Sequence, residues 1–322
     1  MAVTEPTPVP RKHATRIVRN WASDSRHWER YRPRPGDVII GTAPKVGTTW
    51  MQQIVRLLIF QDPAPQPIGR LSPWLDSRFH LPLDVVIPMI EAQTHRRFLK
   101  THLPLDALPF YEEVRYIHVG RDPRDAAMSF FNHYMSFTPE AIAAFDGIGL
   151  ADETIGRPYP RAPEEPRAFF LQWLTGSADD VLNSAERFFD IERSYWSERG
   201  RQNLLLAHYN DLKADLDGEM RRIAAFLEVD VPEDKWPSLV QAATFDQMKV
   251  DGGQLMAGAE RIFKGGHRSF LHKGSNGRWR DVLTEEDQKL YARFAETAST
   301  QGLRVWLEQG RLGSGDSSLV LQ

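Results

Sequence analysis

The stretch DVIIGTAPKVGTTWMQQIVRLLIF, residues 37–60, determines how the rest of this 322-residue chain is interpreted. Its β-branched run at 38–40 is typical of a buried parallel strand. A turn rich in glycine and proline follows at 41–47. From Thr48 onward, apolar residues recur every three or four positions, which is the period of a helix. The stretch therefore predicts a strand, a loop and a helix.

The first turn of that helix is a candidate anion site. The first N–H groups of a helix have no acceptor within it, and their dipoles favour negative charge. Lys45 adds a positive charge, and Thr48 and Thr49 add hydroxyl donors. We therefore expect a phosphate-like group to bind there. The alternative is a glycine- and threonine-rich turn without a ligand.

Composition narrows the classes of function. A net charge of −3 argues against a general nucleic-acid binder, and the absence of cysteine excludes disulfides, a thiolate nucleophile and a cysteine-ligated metal. The N-terminus has prolines and charges where a signal peptide needs an apolar run. The longest apolar stretch is interrupted by Arg56 and is too short to span a membrane. We expect a cytoplasmic protein that is not an integral membrane protein and has no nucleic-acid partner.

The alternation of apolar strands and amphipathic helices continues along the chain. Further strands are predicted at 97–102, 116–119 and 203–209, and a helix at 216–227. Such alternation predicts an α/β protein with a P-loop-like three-layer fold, in which helices flank a central parallel β-sheet. Ligand-binding groups are then expected along the carboxyl edge of the sheet.

The domain boundaries follow from composition. We predict a single domain at 13–308, between a loose N-terminal segment at 1–12 and a disordered tail at 309–322. Within it, residues 136–168 form a poorly periodic insertion on the acceptor side, since a connection this long is usually functional. Residues 251–277 are rich in glycine and are predicted to form a lid.

Four separated motifs support a specific assignment. They are PKVGTTW at 44–50, KTHLP at 100–104, GRDPRDAAMS at 120–129 and KGSNGRW at 273–279. In this order they resemble the cytosolic-type sulfotransferases that use 3′-phosphoadenosine-5′-phosphosulfate (PAPS), and the resemblance covers residues 37–280. The ATP/GTP-binding loop G-x-x-x-x-G-K-[ST] does not fit, because Lys45 precedes Gly47 and Thr48 stands where the lysine belongs.

The resemblance implies a reaction. The sulfuryl group of PAPS would move by in-line displacement to a hydroxyl of a small-molecule or lipid-like acceptor, releasing PAP without a metal ion. His102 would be the general base, and Lys45, assisted by Lys100, would stabilise charge on the leaving phosphate oxygen and the sulfuryl group. Imidazole suits this role because it titrates near neutral pH. From the residues alone, a structural histidine at a strand end is the alternative.

The resemblance also implies a donor site. Its residues would be Lys45, Gly47, Thr48 and Thr49 at the 5′-phosphate, Arg121, Ser129, His272, Lys273 and Gly274 at the 3′-phosphate, and Trp50, Tyr209, Thr244 and Phe245 at the adenine. An arginine fork and a closely approaching glycine backbone both suit phosphate oxygens. Taken alone, Arg121 could instead form a salt bridge with Asp122 or Asp125.

Two positions depart from the family pattern. His272 stands where the family usually has arginine, and a partly charged imidazole predicts a weaker or pH-dependent hold on the phosphate. Val46 replaces a serine that helps to restrain the catalytic lysine in the family. These departures keep a catalytically silent PAP-binding protein open as an alternative.

A P-loop kinase is the other alternative function. The lysine position and the lack of a clear Mg²⁺-binding pattern speak against it. For the acceptor, the sequence suggests an aromatic or lipid-like pocket, although each of the candidate rings could equally belong to the core: Trp74, Phe79, Phe130, Phe131, Tyr134 and Trp173. The identity of the acceptor and the oligomeric state stay open.

Overall fold

A computed structural model describes residues 10–177 and 184–315 of the chain. A four-stranded sheet lies at its centre, with the strand order β2-β1-β3-β4. All neighbouring strands are parallel, as predicted, so their carboxyl ends meet at one edge. The strands are β1 (Val38–Thr42), β2 (Phe98–Thr101), β3 (Arg115–Gly120) and β4 (Leu204–His208).

Helices surround this sheet. In the described residues the α-helices are α1 (Thr48–Phe60), α2 (Ile68–Leu71), α3 (Leu83–Glu91), α4 (Pro123–Met135), α5 (Pro139–Leu150), α6 (Pro166–Thr175), α7 (Ala185–Trp196), α8 (Tyr209–Ala214), α9 (Leu216–Phe226), α10 (Trp236–Ala243), α11 (Phe245–Val250), α12 (Gly252–Leu255), α13 (His267–Phe270), α14 (Glu285–Ala298) and α15 (Gln301–Ser314). Short 3-10 helices lie at Ser25–Arg30, Leu105–Ala107, Ala259–Arg261 and Arg278–Asp281.

The position of β1 in the core explains why its sequence is an uninterrupted apolar run. Val38, Ile39 and Ile40 are completely buried, because layers of helices cover both faces of the parallel sheet. One apolar cluster extends from Trp28 to Leu307 and includes the buried face of α1. The fold predicted from the sequence is confirmed.

Two segments are more regular than predicted. The insertion at 136–168 contains α5, so its description as poorly periodic is wrong for residues 139–150. The tail is not disordered from 309 onward, because α15 continues to Ser314 across a break at Gly310. The carboxylate of Asp211 accepts hydrogen bonds from the N–H groups of Arg311 (2.7 Å) and Leu312 (3.1 Å) and so supports this last turn. Residues 316–322 lie outside the described residues.

The N-terminal segment is also better ordered than expected. Residues 1–9 are not described, but Lys12 exchanges two backbone hydrogen bonds with Phe110, of 3.2 and 2.9 Å, so residues 10–12 are not loose. The proline-rich stretch 61–82 contains α2 and contributes to the large cavity described below. In the part of the chain that the structure covers, no helix is long and apolar enough to cross a bilayer.

Candidate active site

The carboxyl edge of the sheet brings the sequence motifs together. Lys45 lies in the loop after β1, His102 follows β2, Arg121 follows β3, and Tyr209 follows β4. Because the strands are parallel neighbours, these four residues face one cavity of about 1340 Å³. The predicted convergence on a single site is therefore what the fold produces.

Nearly all of the predicted site residues line this cavity. Thr244 is the exception: its hydroxyl caps α11 by accepting from the N–H of Gln247 (3.2 Å) and donates to the carbonyl of Gln241 (2.8 Å). Among residues 10–177 and 184–315, no three His, Asp or Glu side chains are grouped to hold a metal ion. The predicted residues that line the cavity are Lys45, Gly47, Thr48, Thr49, Trp50, Lys100, His102, Arg121, Ser129, Tyr209, Phe245, His272, Lys273 and Gly274.

The loop before α1 has an unusual backbone. Lys45 has φ 71°, a left-handed conformation that is uncommon for a residue other than glycine, and Gly47 has φ 114°. The guanidinium of Arg121 donates to the carbonyl of Lys45 at 3.0 Å and holds this conformation. A Cβ atom at Gly47 would lie 3.0 Å from the ring of Tyr209. The loop thus needs both its glycine and its arginine support.

The first N–H groups of α1 are hydrogen-bond donors that no side chain at the N-cap satisfies. Gly47 is the N-cap and has no side chain to accept from the first N–H groups of the helix, so they point into the cavity without an internal partner. The hydroxyl of Thr48 is fixed at 2.6 Å from that of Thr42 on β1. This arrangement suits an anionic oxygen at the helix terminus.

The hydrogen bond of His102 fixes its tautomer. Nδ1 lies 2.9 Å from the carbonyl oxygen of Thr42, which can only accept, so Nδ1 carries the proton. Nε2 then has a free lone pair, and no described residue hydrogen-bonds to it. Burial, followed by the charges of Lys100 and Lys45, lowers the pKa of His102 to about 3. The imidazole is therefore neutral and able to accept a proton.

Trp74 contacts both His102 and Lys100. Its ring meets the imidazole edge to face, with ring centres 5.0 Å apart, and the Lys100 ammonium lies 4.6 Å from its centre. The indole N–H donates to the buried carboxylate of Asp76 at 2.8 Å, which fixes the ring. Burial lowers the pKa of Lys100 to about 8, an effect that Asp76 opposes.

Lys45 is a buried cation in a crowded positive environment. Burial first, and then the charges of Arg121 and Lys100, lower its pKa to about 7. Its ammonium lies 4.3 Å from the ring centre of Phe270 and 3.2 Å from Nδ1 of His133. A negatively charged ligand would relieve the repulsion among these cations.

Arg121 joins the strand edge to the glycine-rich lid. Besides Lys45, it donates to the carbonyl of Ser275 (3.2 Å) and the side-chain oxygen of Asn276 (2.9 Å), and its guanidinium lies 4.0 Å from the ring centre of Tyr209. Its Nε has no partner among the described residues. The salt bridge with Asp122 or Asp125 that the sequence left open is not formed within hydrogen-bonding distance.

Each of those carboxylates has another partner. Asp122 forms a salt bridge with Arg124 at 2.8 Å. Asp125 accepts a hydrogen bond from the N–H of Gly277 at 2.8 Å and so holds the lid against α4. Neither carboxylate therefore competes with a ligand for Arg121.

The lid itself carries His272, Lys273 and Gly274 into the cavity wall. Burial lowers the pKa of His272, and so do the charges of Arg278 and Lys273. The neutral form of the imidazole is therefore favoured. The negative charge of a phosphate would act in the opposite direction and raise this pKa.

Gly274 packs directly on a predicted adenine-binding ring. It has φ 64°, and a Cβ there would lie 2.9 Å from atoms of Phe245. We expect Gly274→Ala to displace the lid and lower nucleotide affinity about tenfold or more, because both the backbone conformation and the close approach require glycine.

Gly156→Ala is the matched control. Gly156 has a similar φ of 62°, but a Cβ there would meet nothing within 4 Å. Both variants place alanine in a left-handed conformation, so both should lower the melting temperature of the free protein, and Gly274→Ala should lower it further because of the close approach to Phe245. Titration with PAP should then separate them. Equal nucleotide affinity in the two variants would show that the approach of Gly274 to Phe245 is unimportant.

The predicted adenine residues form one side of the cavity. Trp50 and Tyr209 meet edge to face with ring centres 5.3 Å apart, and the indole N–H of Trp50 donates to the carbonyl of Ala243 at 2.7 Å. Phe245 faces the same cavity below Gly274. The aromatic faces needed to hold a purine are present.

The opposite side of the cavity is aromatic and belongs to a second apolar cluster. This cluster joins the insertion to the lid, through Phe137, Phe145, Tyr159 and Phe263. Phe145 contacts Phe79 with ring centres 4.7 Å apart, so the proline-rich stretch 61–82 completes the wall. Of the rings considered from the sequence, Trp74, Phe79 and Phe130 line the cavity, whereas Phe131, Tyr134 and Trp173 do not.

Sequence reasoning missed His133. It lies on α4 one helical turn beyond Ser129, on the same face, and it lines the cavity. The spacing of four residues from a predicted ligand could have identified it. Phe137, Phe145 and Tyr159 had no comparable signal, because their positions depend on how the insertion packs.

Comparison of the sequence with known proteins gives a consistent result. The family model described as "Sulfotransferase domain" matches residues 35–302. A glycolipid sulfotransferase of Mycobacterium bovis is 31% identical over 315 residues, covering 92% of this chain and 95% of that protein. Cytosolic sulfotransferase 1 of Danio rerio is 27% identical over 273 residues, covering 81% of this chain and 82% of that protein.

Solved structures share the fold. A retinol dehydratase in complex with androsterone and the inactive cofactor PAP superposes with a TM-score of 0.65 at 21% identity, covering 87% of each chain. A mouse sulfotransferase complexed with PAP gives a TM-score of 0.62 at 20% identity, covering 84% of this chain and 85% of that one.

Proposed function

The chain belongs to the sulfotransferase family, and we propose that it transfers the sulfuryl group of PAPS to a hydroxyl of a lipid-like acceptor, releasing PAP. The matches support neither of the alternatives, a P-loop kinase or a catalytically silent nucleotide-binding protein. The names of the relatives, which include glycolipid sulfotransferases, favour a lipid-like acceptor.

One observation carries the proposal. The cavity joins a cationic half, built from Lys45, Lys100 and Arg121, to an aromatic half, and His102 lies where the two meet. The cationic half suits the phosphates and sulfuryl group of the donor, and the aromatic half suits an apolar acceptor. The free lone pair of His102 at the junction suits proton removal from the acceptor hydroxyl.

We assign the chemical roles as follows. Nε2 of His102 accepts the proton of the acceptor hydroxyl as the oxygen attacks sulfur, while Nδ1–H stays bound to the carbonyl of Thr42. The bond between sulfur and the bridging phosphate oxygen breaks, and Lys45 stabilises the negative charge that develops on that oxygen. Lys100 adds positive charge beside the sulfuryl group.

The donor-binding residues fit the same proposal. The N-terminus of α1 with Thr48 and Thr49 would hold the 5′-phosphate, and Arg121, Ser129 and Lys273 the 3′-phosphate. The unpartnered Nε of Arg121 is a donor that a phosphate oxygen would satisfy. Trp50, Tyr209 and Phe245 would contact the adenine, and we no longer include the side chain of Thr244 among them.

We also propose that the chain forms a single domain, which the family match to 35–302 and the apolar cluster from Trp28 to Leu307 support. The domain extends beyond the predicted 13–308 at both ends, since Lys12 and the last turn of α15 are bonded to it. A cytoplasmic location is supported by similarity to the cytosolic sulfotransferase of Danio rerio.

The proposed function is tested by measuring the formation of PAP and of a sulfated product. The purified protein is incubated with PAPS and, separately, with a glycolipid, a sterol and a simple phenol, and the mixtures are analysed by mass spectrometry for PAP and sulfated product. We expect PAP release that depends on an acceptor and matches the sulfated product in amount. Transfer of phosphate from Mg-ATP to any of these acceptors, without transfer from PAPS, would contradict the proposal.

A further inference from the structure

His133 occupies a position that the assigned roles do not explain. It projects from α4 into the cavity beside Lys45, among the rings of Phe137, Phe263 and Phe270, whose centres lie 5.0, 4.8 and 5.5 Å from that of the imidazole. A histidine in an aromatic wall would normally be replaceable by another ring. Its contact with Lys45 distinguishes it.

When Lys45 is charged, the hydrogen bond between these two residues has only one polarity. An ammonium group has donors and no acceptor, so the Lys45 Nζ donates and Nδ1 of His133, 3.2 Å away, accepts. The proton of the neutral ring is therefore on Nε2. This is the opposite tautomer to that of His102, whose Nδ1 is protonated and whose Nε2 is free. The two histidines of the cavity thus differ in what they can do.

The charges around Lys45 show why a neutral acceptor matters. Arg121 faces it from the end of β3, Lys100 from β2 and His102 from just beyond β2, while α13 contributes the ring of Phe270. Among the described residues, His133 is the hydrogen-bond acceptor that Nζ contacts. The pKa of His133 lies well below its usual value because of burial and then the charge of Lys45, so the ring stays neutral.

We propose that His133 is a positioning residue for Lys45, whose ammonium it holds at the junction of the donor and acceptor halves by a hydrogen bond to Nδ1. This neutral acceptor favours the charged form of the lysine and directs it into the cavity despite the neighbouring cations. The catalytic importance of Lys45 rests on the proposed function, but its hydrogen bond with His133 does not.

Two substitutions separate this role from simple packing. His133→Phe keeps an aromatic ring in the aromatic wall and removes the acceptor, whereas His133→Gln keeps an amide oxygen that can accept from Lys45. The protonation of Lys45 is followed by competitive acetylation with acetic anhydride as a function of pH, with mass-spectrometric readout. Lys289, exposed on α14, serves as the internal reference in every sample.

We expect the labelling midpoint of Lys45 to fall by about one pH unit in His133→Phe, since a hydrogen bond to a charged group contributes about that much. His133→Gln should restore most of the wild-type midpoint, and the profile of Lys289 should not change. With PAPS and an accepted alcohol, kcat should fall about tenfold in His133→Phe while the KM for PAPS changes little.

An unchanged Lys45 midpoint in His133→Phe would overturn the proposal, and so would a protonated Nδ1 on His133 in ¹⁵N NMR of the wild-type protein. Neither measurement needs turnover. Failure of the proposed function would instead appear as absent sulfuryl transfer with the labelling shift intact, so the two failures can be told apart.

Discussion

His102→Ala is expected to lower the turnover number by a hundredfold or more while leaving nucleotide binding nearly unchanged. The alanine removes the Nε2 lone pair that would accept the proton of the acceptor hydroxyl. It leaves the proposed phosphate-binding side of the cavity in place, because within the described residues His102 hydrogen-bonds to Thr42 on β1 alone. Single-turnover kinetics with PAPS, together with PAP titration, measure the two effects separately.

His80→Ala is the matched control for this variant. His80 lines the same cavity, and burial likewise lowers its pKa to about 3. Its Nδ1 lies 2.7 Å from the hydroxyl of Ser77 rather than from a strand of the sheet. We expect His80→Ala to retain most of its turnover. Near-normal turnover in His102→Ala, or an equal loss in both variants, would remove His102 from the role of base.

Lys45→Met is expected to have the second largest effect, a loss of about a hundredfold to a thousandfold in turnover. This is the usual effect of removing one group that stabilises transition-state charge. Methionine preserves much of the length and apolar character of the side chain against Phe270 but cannot donate to the leaving oxygen. Lys289→Met makes the same change of charge on an exposed face of α14 and should leave turnover unchanged.

The same variant should alter the pH dependence of donor binding. Burial and the neighbouring cations lower the pKa of Lys45 to about 7, and the negative charge of the donor must raise it, because an opposite charge favours the ammonium form. Binding therefore takes up a proton above pH 7, and affinity falls as the pH rises through that range. Lys100, with a pKa of about 8, contributes in the same direction.

Calorimetry of PAP binding at pH 8, in buffers of different ionisation enthalpy, measures this uptake. Lys45→Met should reduce it but not abolish it, because Lys100 keeps its share. Equal proton uptake by the wild type and Lys45→Met would show that Lys45 does not contact the bound nucleotide.

For His102, the proposed general base, the sequence predicts the position but not the ionisation. The position of His102 after a strand follows from local pattern, because a short apolar run ending in KTHLP marks the carboxyl end of β2. Its ionisation does not follow from the sequence. A pKa near neutrality was expected, whereas burial and two neighbouring lysines lower it to about 3 in the empty site. The charge of a bound donor would raise it again.

Helix α5 shows why the insertion was misread. Its sequence contains Gly147 and Gly149, which weaken the helical pattern. In the folded protein, a Cβ at Gly149 would lie 2.3 Å from the indole nitrogen of Trp21, so a glycine is needed for a close approach between distant parts of the chain. The start of the helix could be predicted from the sequence, since Thr138 caps it and Pro139 occupies its first turn.

The cationic half of the cavity, where phosphate is proposed to bind, was predictable, and the aromatic half was only partly so. Lys45, Thr48 and Arg121 belong to local strand–loop–helix units whose geometry brings them to one edge. Phe145 and Phe263 reach the cavity only through contacts between the insertion and the lid, which are far apart in sequence. No local period encodes such contacts.

The most direct test of this account is thermal unfolding in the presence of nucleotides, because a ligand that binds only the folded state raises the melting temperature. PAP should give a large increase, and 5′-AMP, which lacks the 3′-phosphate proposed to contact Arg121 and Lys273, a much smaller one. Mg-ATP should have little effect. Stabilisation by Mg-ATP without stabilisation by PAP would contradict the assignment of the site.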